Sequence, residues 1–217
     1  MWHRHAIASR RLASALAAAI VLLAGGTGSA LADAPYCSLR DPGHQIYDMY
    51  PTATGYRSVV REINNETQIA VGRQIPFPLM QGELGQHTLY VPVEDGSPLG
   101  YIQIRSELTE WGMAEIVWAL NVELEVVDFR FQRCRGRACD AVLEKGLREL
   151  IQGLDQTELI ELLDGDGELH SSLLAELSEE ERLLASVATR SAVKVIAVIE
   201  SGWSNTVQEL ARNNSVP

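Results

Sequence analysis

Between residues 86 and 133 the chain alternates apolar and polar positions in runs broken by turn residues, and between 138 and 203 the repeat lengthens to that of a helix. Strand-like and helix-like patterns are therefore segregated along the chain. That arrangement points to an α+β domain rather than alternating βαβ units. His87 to Val93 is rich in Thr, Leu, Tyr and Val, Glu94-Asp95-Gly96-Ser97-Pro98 supplies turn chemistry, and Leu99 to Arg105 alternates, which predicts a hairpin. Glu110-Trp111-Gly112 turns again into the apolar run Met113 to Leu120, and Asn121-Val122-Glu123 closes a second hairpin onto Leu124 to Phe131. The pattern predicts a four-stranded, mostly antiparallel sheet over about His87 to Gln132. Helices at 44–50, 138–152 and 179–200 are expected to pack largely against one face.

The flanking segments are less regular. His44 to Tyr50 reads as a short helix stopped by Pro51, and Ser58 to Gly72 as a strand and a short helix joined at Asn64-Asn65. Ala138 to Gln152 carries apolar residues near period 3.6, and Leu159–Leu163 and Leu169–Leu177 read as shorter helical pieces. Ser178-Glu179-Glu180-Glu181 is a capping box that opens the last helix, which ends at Ser201-Gly202. The domain is thus expected over 37–203, with a polar, fraying tail at 204–217.

The first 32 residues read as a secretory signal. His3, Arg4, Arg10 and Arg11 give a positive start, Leu12 to Ala24 an apolar run too short for a stable span, and Ala30-Leu31-Ala32 a small-residue cleavage site. Cleavage there leaves an exported, periplasmic product with no membrane span. The chain's net charge of −11 grows more negative once those three arginines are removed. So acidic a protein is a poor sequence-independent ligand for nucleic acid or anionic membranes.

Export makes a disulfide the leading reading of the three cysteines. Cys134 and Cys139 flank a Gly-containing turn and could close a local loop; alternatively Cys37 pins the N-terminal tail to one of them. Metal-ligand spacing is missing, since His44, His87 and His170 are scattered. Asp164-Gly165-Asp166-Gly167-Glu168 lacks the ligand spacing of a calcium loop and reads as a solvated acidic turn. Glu107, Glu110 and Glu115 read as a solvated edge rather than a catalytic carboxylate pair, and Trp111 and Trp118 as core or sheet-face residues. No G-x-S-x-G, H-E-x-x-H or glycine-rich phosphate loop occurs, and no spacing singles out a Ser/His/Asp triad.

Several stretches resemble the FMN-binding domain of the Rnf G subunit, the Nqr C subunit and NosR-type periplasmic flavoproteins. His44 to Ala53 resembles the helix ending in F-P-x-A that opens such domains, and Tyr90-Val91, Asp95-Gly96 and Gly100-Tyr101 resemble their first hairpin. Ala119 to Asp128 resembles the next hairpin, with Asn121 and Glu123 where Asp and Gly are usual. Ser186-Val187-Ala188-Thr189-Arg190-Ser191-Ala192 resembles S-G-A-T-x-[ST]-[SA], which opens the family's last helix; Val187 replaces its glycine and Leu183 its usual Asp. The resemblance spans residues 44–200. It implies FMN, held covalently through Thr189 by a periplasmic flavin transferase or non-covalently, and electron transfer with a membrane redox complex. Ser186, Ala188, Arg190 and Ser191 would then surround the phosphate at a helix start. The Ser178 cap implies the opposite: a helix already under way at Thr189, with no free N–H groups, on a divergent scaffold that has lost its flavin. The function expected is therefore periplasmic electron transfer by an FMN-binding-like domain, or, as the alternative, a cofactor-free binding or assembly module. An exported hydrolase has no visible nucleophile–base pair.

Overall fold

Tyr50-Pro51 ends the first helix, because proline disfavours α conformation in the residue before it. The computed structural model describes residues 42–214; the expected signal at 1–32 and Cys37 lie outside them. Helix α1 (Gly43–Met49) leads into strand β1 (Gly55–Ile63) and helix α2 (Asn65–Val71). Asn64 starts α2 as expected for an Asx cap, accepting the Thr67 N–H at 3.0 Å. After a 3₁₀ turn at Gln81–Glu83 come β2 (Gly85–Glu94), β3 (Ser97–Pro98), β4 (Tyr101–Thr109), β5 (Gly112–Leu120) and β6 (Val126–Arg133). The chain closes with helices α3 (Ala138–Glu144), α4 (Leu147–Ile151), α5 (Gln156–Glu161), α6 (Glu179–Gly202) and α7 (Ser204–Asn214).

The class is α+β and the sheet is antiparallel, in the order β1-β2-β4-β5-β6, with the two-residue β3 paired to β2. The expected count of four strands falls short by the two-residue β3 and by β1, which pairs with β2 from Gly55↔Val93 to Ile63↔Gly85. As an edge strand, β1 buries only Ile63 and shows polar residues on both faces, so it carries no period-2 signal. By contrast β4 and β5 pair along their full lengths, whereas β2 and β4 share the single register pair Tyr90↔Ile102.

Helix α6 lies on one face of the sheet, in the main core with Trp118, Phe129 and Trp203. The Trp118 and Phe129 rings stack with centroids 5.0 Å apart. Helix α1 is the exception to the one-face expectation: Ile46, Met49 and Tyr50 pack with Ile102, Ile104, Val117 and Ala119 on the opposite side. That follows from strand alternation, because even positions of β4 point away from α6. The helix expected at 138–152 is broken by Gly146 at φ +91°. Residues 169–177 form turns rather than a helix. The tail expected to fray from 204 is helical through Asn214, with Val207 packed on the core. A Cys134–Cys139 disulfide joins the end of β6 to the start of α3. Among the described residues no helix is long and apolar enough to cross a membrane.

Candidate functional site

From Leu184 to Ile199, α6 is buried at every position except Val187, Arg190 and Lys194. Small residues such as Ala185, Ala188, Ser191 and Ala192 let the sheet and the surrounding helices approach closely. The three exceptions follow one another at spacings of three and four, so they share one face. They open into a groove whose other walls are the Phe77–Glu83 segment and the tip of the β4–β5 hairpin. Two cavities lie along it, of about 210 Å³ toward Trp111 and Leu183 and about 370 Å³ toward Phe77, Pro78 and Met80. Leu108, Val187 and Arg190 line both and form the ridge between them. Met80 and Leu108, 61% and 65% exposed, present aliphatic surface at the rim.

The floor is a buried group of ions contributed by the 3₁₀ turn, β4 and α6. The Glu83 carboxylate accepts from Arg105 Nη2 and from Lys194 Nζ, at 3.0 and 3.1 Å to its two oxygens. The Met80 N–H donates to it as well, at 2.7 Å. Arg105 Nε donates to Glu107 Oε1 at 3.0 Å, and Glu107 Oε2 lies 3.8 Å from Lys194 Nζ. His87 Nε2–H donates to the Glu83 carbonyl at 2.9 Å. Two acids thus face two bases with Glu83 and Arg105 almost inaccessible, the condition under which burying charge is tolerable. Burial pushes the Glu83 pKa up, but the Arg105 and Lys194 charges outweigh it and hold the group below its usual value. Burial, helped by the Arg105 charge, pushes His87 down to about 4, so its ring is neutral at neutral pH.

The residues singled out for FMN divide sharply. Thr189, Ala188 and Ser191 are fully buried. The Thr189 hydroxyl donates to the Ala185 carbonyl at 2.9 Å, and Ser191 Oγ accepts from Trp118 Nε1 at 3.1 Å. Ser186 lines the smaller cavity, but its hydroxyl donates to Arg182 O at 2.8 Å and accepts from the Leu169 N–H at 2.9 Å. Arg190 alone reaches the groove surface, and its Nη1 donates to Gly167 O at 2.6 Å. The helix runs unbroken from Glu179, its start capped by Ser178 and Glu181. The N–H groups of 188–191 are therefore used in i→i−4 bonds. The expected phosphate cradle is not formed, and the residues at Thr189 do not fit an FMN phosphoester.

The floor ions escaped sequence reasoning. Arg105 and Glu107 flank the polar Ser106 in β4, which reads as a solvent-facing stretch; α6 covers the face they share, so Glu107 is buried instead of lying on a solvated edge. The acidic turn at 164–168 behaves as expected, with Asp164 Oδ1 accepting the Asp166 and Glu168 N–H groups at 2.9 Å. No family model, curated protein or solved structure matches the chain.

Proposed function

We propose that the chain is an exported binding module that works without a cofactor and uses the groove over α6 to hold a partner protein in the cell envelope. The observation that carries this reading is the half-buried stripe Val187, Arg190 and Lys194 on a helix otherwise buried from Leu184 to Ile199, bordered by the exposed aliphatic side chains of Met80, before the 3₁₀ turn, and Leu108, near the end of β4. Exposed apolar surface over a floor whose acids and bases are paired with one another favours recognition over chemistry. The electron-transfer reading would need a phosphate anchor, and the unbroken helix at Thr189 offers none. Two measurements test the proposal together. Co-expression with a periplasmic flavin transferase is expected to give colourless protein of unmodified mass. A photo-crosslinking residue at Met80 or Leu108 is expected to give one discrete adduct in the native host, while the same residue at the exposed Val60 on β1 gives none. Stoichiometric flavin, or adducts independent of position, would overturn the reading.

A further inference from the structure

The ions around the groove leave an imbalance that identifies what it takes. Lys194 is ion-paired with both Glu83 oxygens, whereas Arg190 donates to the neutral Gly167 carbonyl, over which its stem also packs, and so keeps its positive charge in the groove. Two outer carboxylates stand against it. Glu110, at the hairpin tip, and Glu168, in the acidic turn, are exposed at the rim of the smaller cavity, and neither makes a side-chain ion pair or hydrogen bond among the described residues. Glu107, which lines the larger cavity, is already paired with Arg105 through Oε1 and lies 3.8 Å from Lys194 Nζ. The Glu110 and Glu168 carboxylates therefore face the one Arg190 guanidinium, and the rim of the smaller cavity carries an excess of one negative charge. Beside that charge lie the half-buried Trp111 ring and Leu183, which suit the aliphatic stem and cationic head of a lysine or arginine. The larger cavity has apolar walls at Phe77, Pro78 and Met80.

Resting on the binding-module reading, we infer that the groove recognises an extended peptide segment with an aliphatic residue and, two positions on, a lysine or arginine. Two neighbouring cavities divided by a ridge suit alternate side chains of an extended chain, which leave it on the same side. The aliphatic side chain enters the larger cavity. The basic one crosses the ridge on its Leu108–Val187 side, away from Arg190, lays its stem on Trp111 and ends between Glu110 and Glu168. A compact ligand would occupy one cavity and ignore the other, and an anion would meet two carboxylates against one guanidinium at the rim.

The test is an NMR titration of the full protein with acetyl-Ala-Leu-Ser-Arg-Ala-amide, alongside versions in which arginine is replaced by glutamine or glutamate. The arginine peptide is expected to shift the Trp111 indole signal. It should bind about tenfold more tightly than the glutamine peptide, the size of one charge-assisted contact, and lose that margin in high salt. The double variant Glu110→Lys/Glu168→Lys should abolish the preference, Leu108→Asp should weaken all three peptides, and Glu62→Lys on β1 should change nothing. Equal binding of the three peptides, no binding of the arginine peptide, full displacement by spermine at equal concentration, or an unchanged preference in the double variant each overturns the inference. Position-specific crosslinks at Met80 and Leu108 that persist beside such a result leave the binding module standing and remove only its ligand chemistry; their loss removes both.

Discussion

Gly100 sits at φ +158°, and a Cβ there would lie 2.1 Å from the Leu120 carbonyl oxygen and 2.6 Å from the Tyr50 hydroxyl. The second distance matters because Tyr50 donates to that same carbonyl at 2.5 Å, which fastens the end of α1 to the far face of the sheet. No neighbour can retreat cheaply, since one is backbone and the other is a ring buried to 7% exposure. Gly100→Ala should therefore cost roughly 3 kcal/mol through the clash and the displaced hydrogen bond. Tyr50→Phe, which loses the bond but keeps the packing, should cost about 1 kcal/mol. Urea midpoints read both; equal costs would remove the steric argument. In the sequence Gly100 stands out only as part of a hairpin motif. Its close approach to Leu120 and Tyr50 follows from packing between segments far apart in the chain, which no local pattern encodes.

At the scale of the element, α6 was half legible. Ser178 and Glu181 mark its start in the sequence because a capping box is a local signal, and the structure places the helix start there. The groove was not legible, because which α6 residues stay uncovered depends on where the hairpin tip and the Phe77–Glu83 segment come to rest. The same holds for Arg105 and Glu107, whose polar stretch with Ser106 fits a wet edge and a buried ion cluster equally well. The continuity of α6 makes its own prediction at Val187. Restoring the glycine found in the flavoprotein motif does not create a helix start, because the surrounding N–H groups stay bonded within the helix. Val187→Gly should lower stability by about 1 kcal/mol or somewhat more, from helix propensity and the lost groove-wall side chain. The protein mass after co-expression with a flavin transferase should be unchanged. Thermal unfolding and intact-mass measurement read the two effects; a flavin adduct in this variant would show that the helix opens at Ser186–Ser191 after all.

For the molecule as a whole, the ions under the groove join the 3₁₀ turn, β2, β4 and α6, so their titration bears on global stability. Glu83 has a folded pKa below its ordinary value. The stability it contributes is complete above the unfolded glutamate pKa of about 4.3 and is lost as pH falls through the lower folded value. His87 acts earlier. Burial and then Arg105 hold it at about 4, against about 6.5 in an unfolded chain. Between those values the unfolded state binds a proton that the folded state refuses, so stability declines as pH drops through that window and has lost this contribution fully below it. A gap of that size corresponds to an order of 3 kcal/mol, and at 5% exposure His87 gains little screening from solvent. Wild-type protein should therefore lose urea resistance progressively from about pH 6.5 to 4, ahead of any effect of Glu83. His87→Gln, which can still donate toward the Glu83 carbonyl but cannot titrate, should flatten the profile over that range and keep the steeper loss below it. Urea midpoints at a series of pH values decide the matter: a slope between pH 6.5 and 4 that survives the substitution would assign the acid sensitivity to groups other than His87.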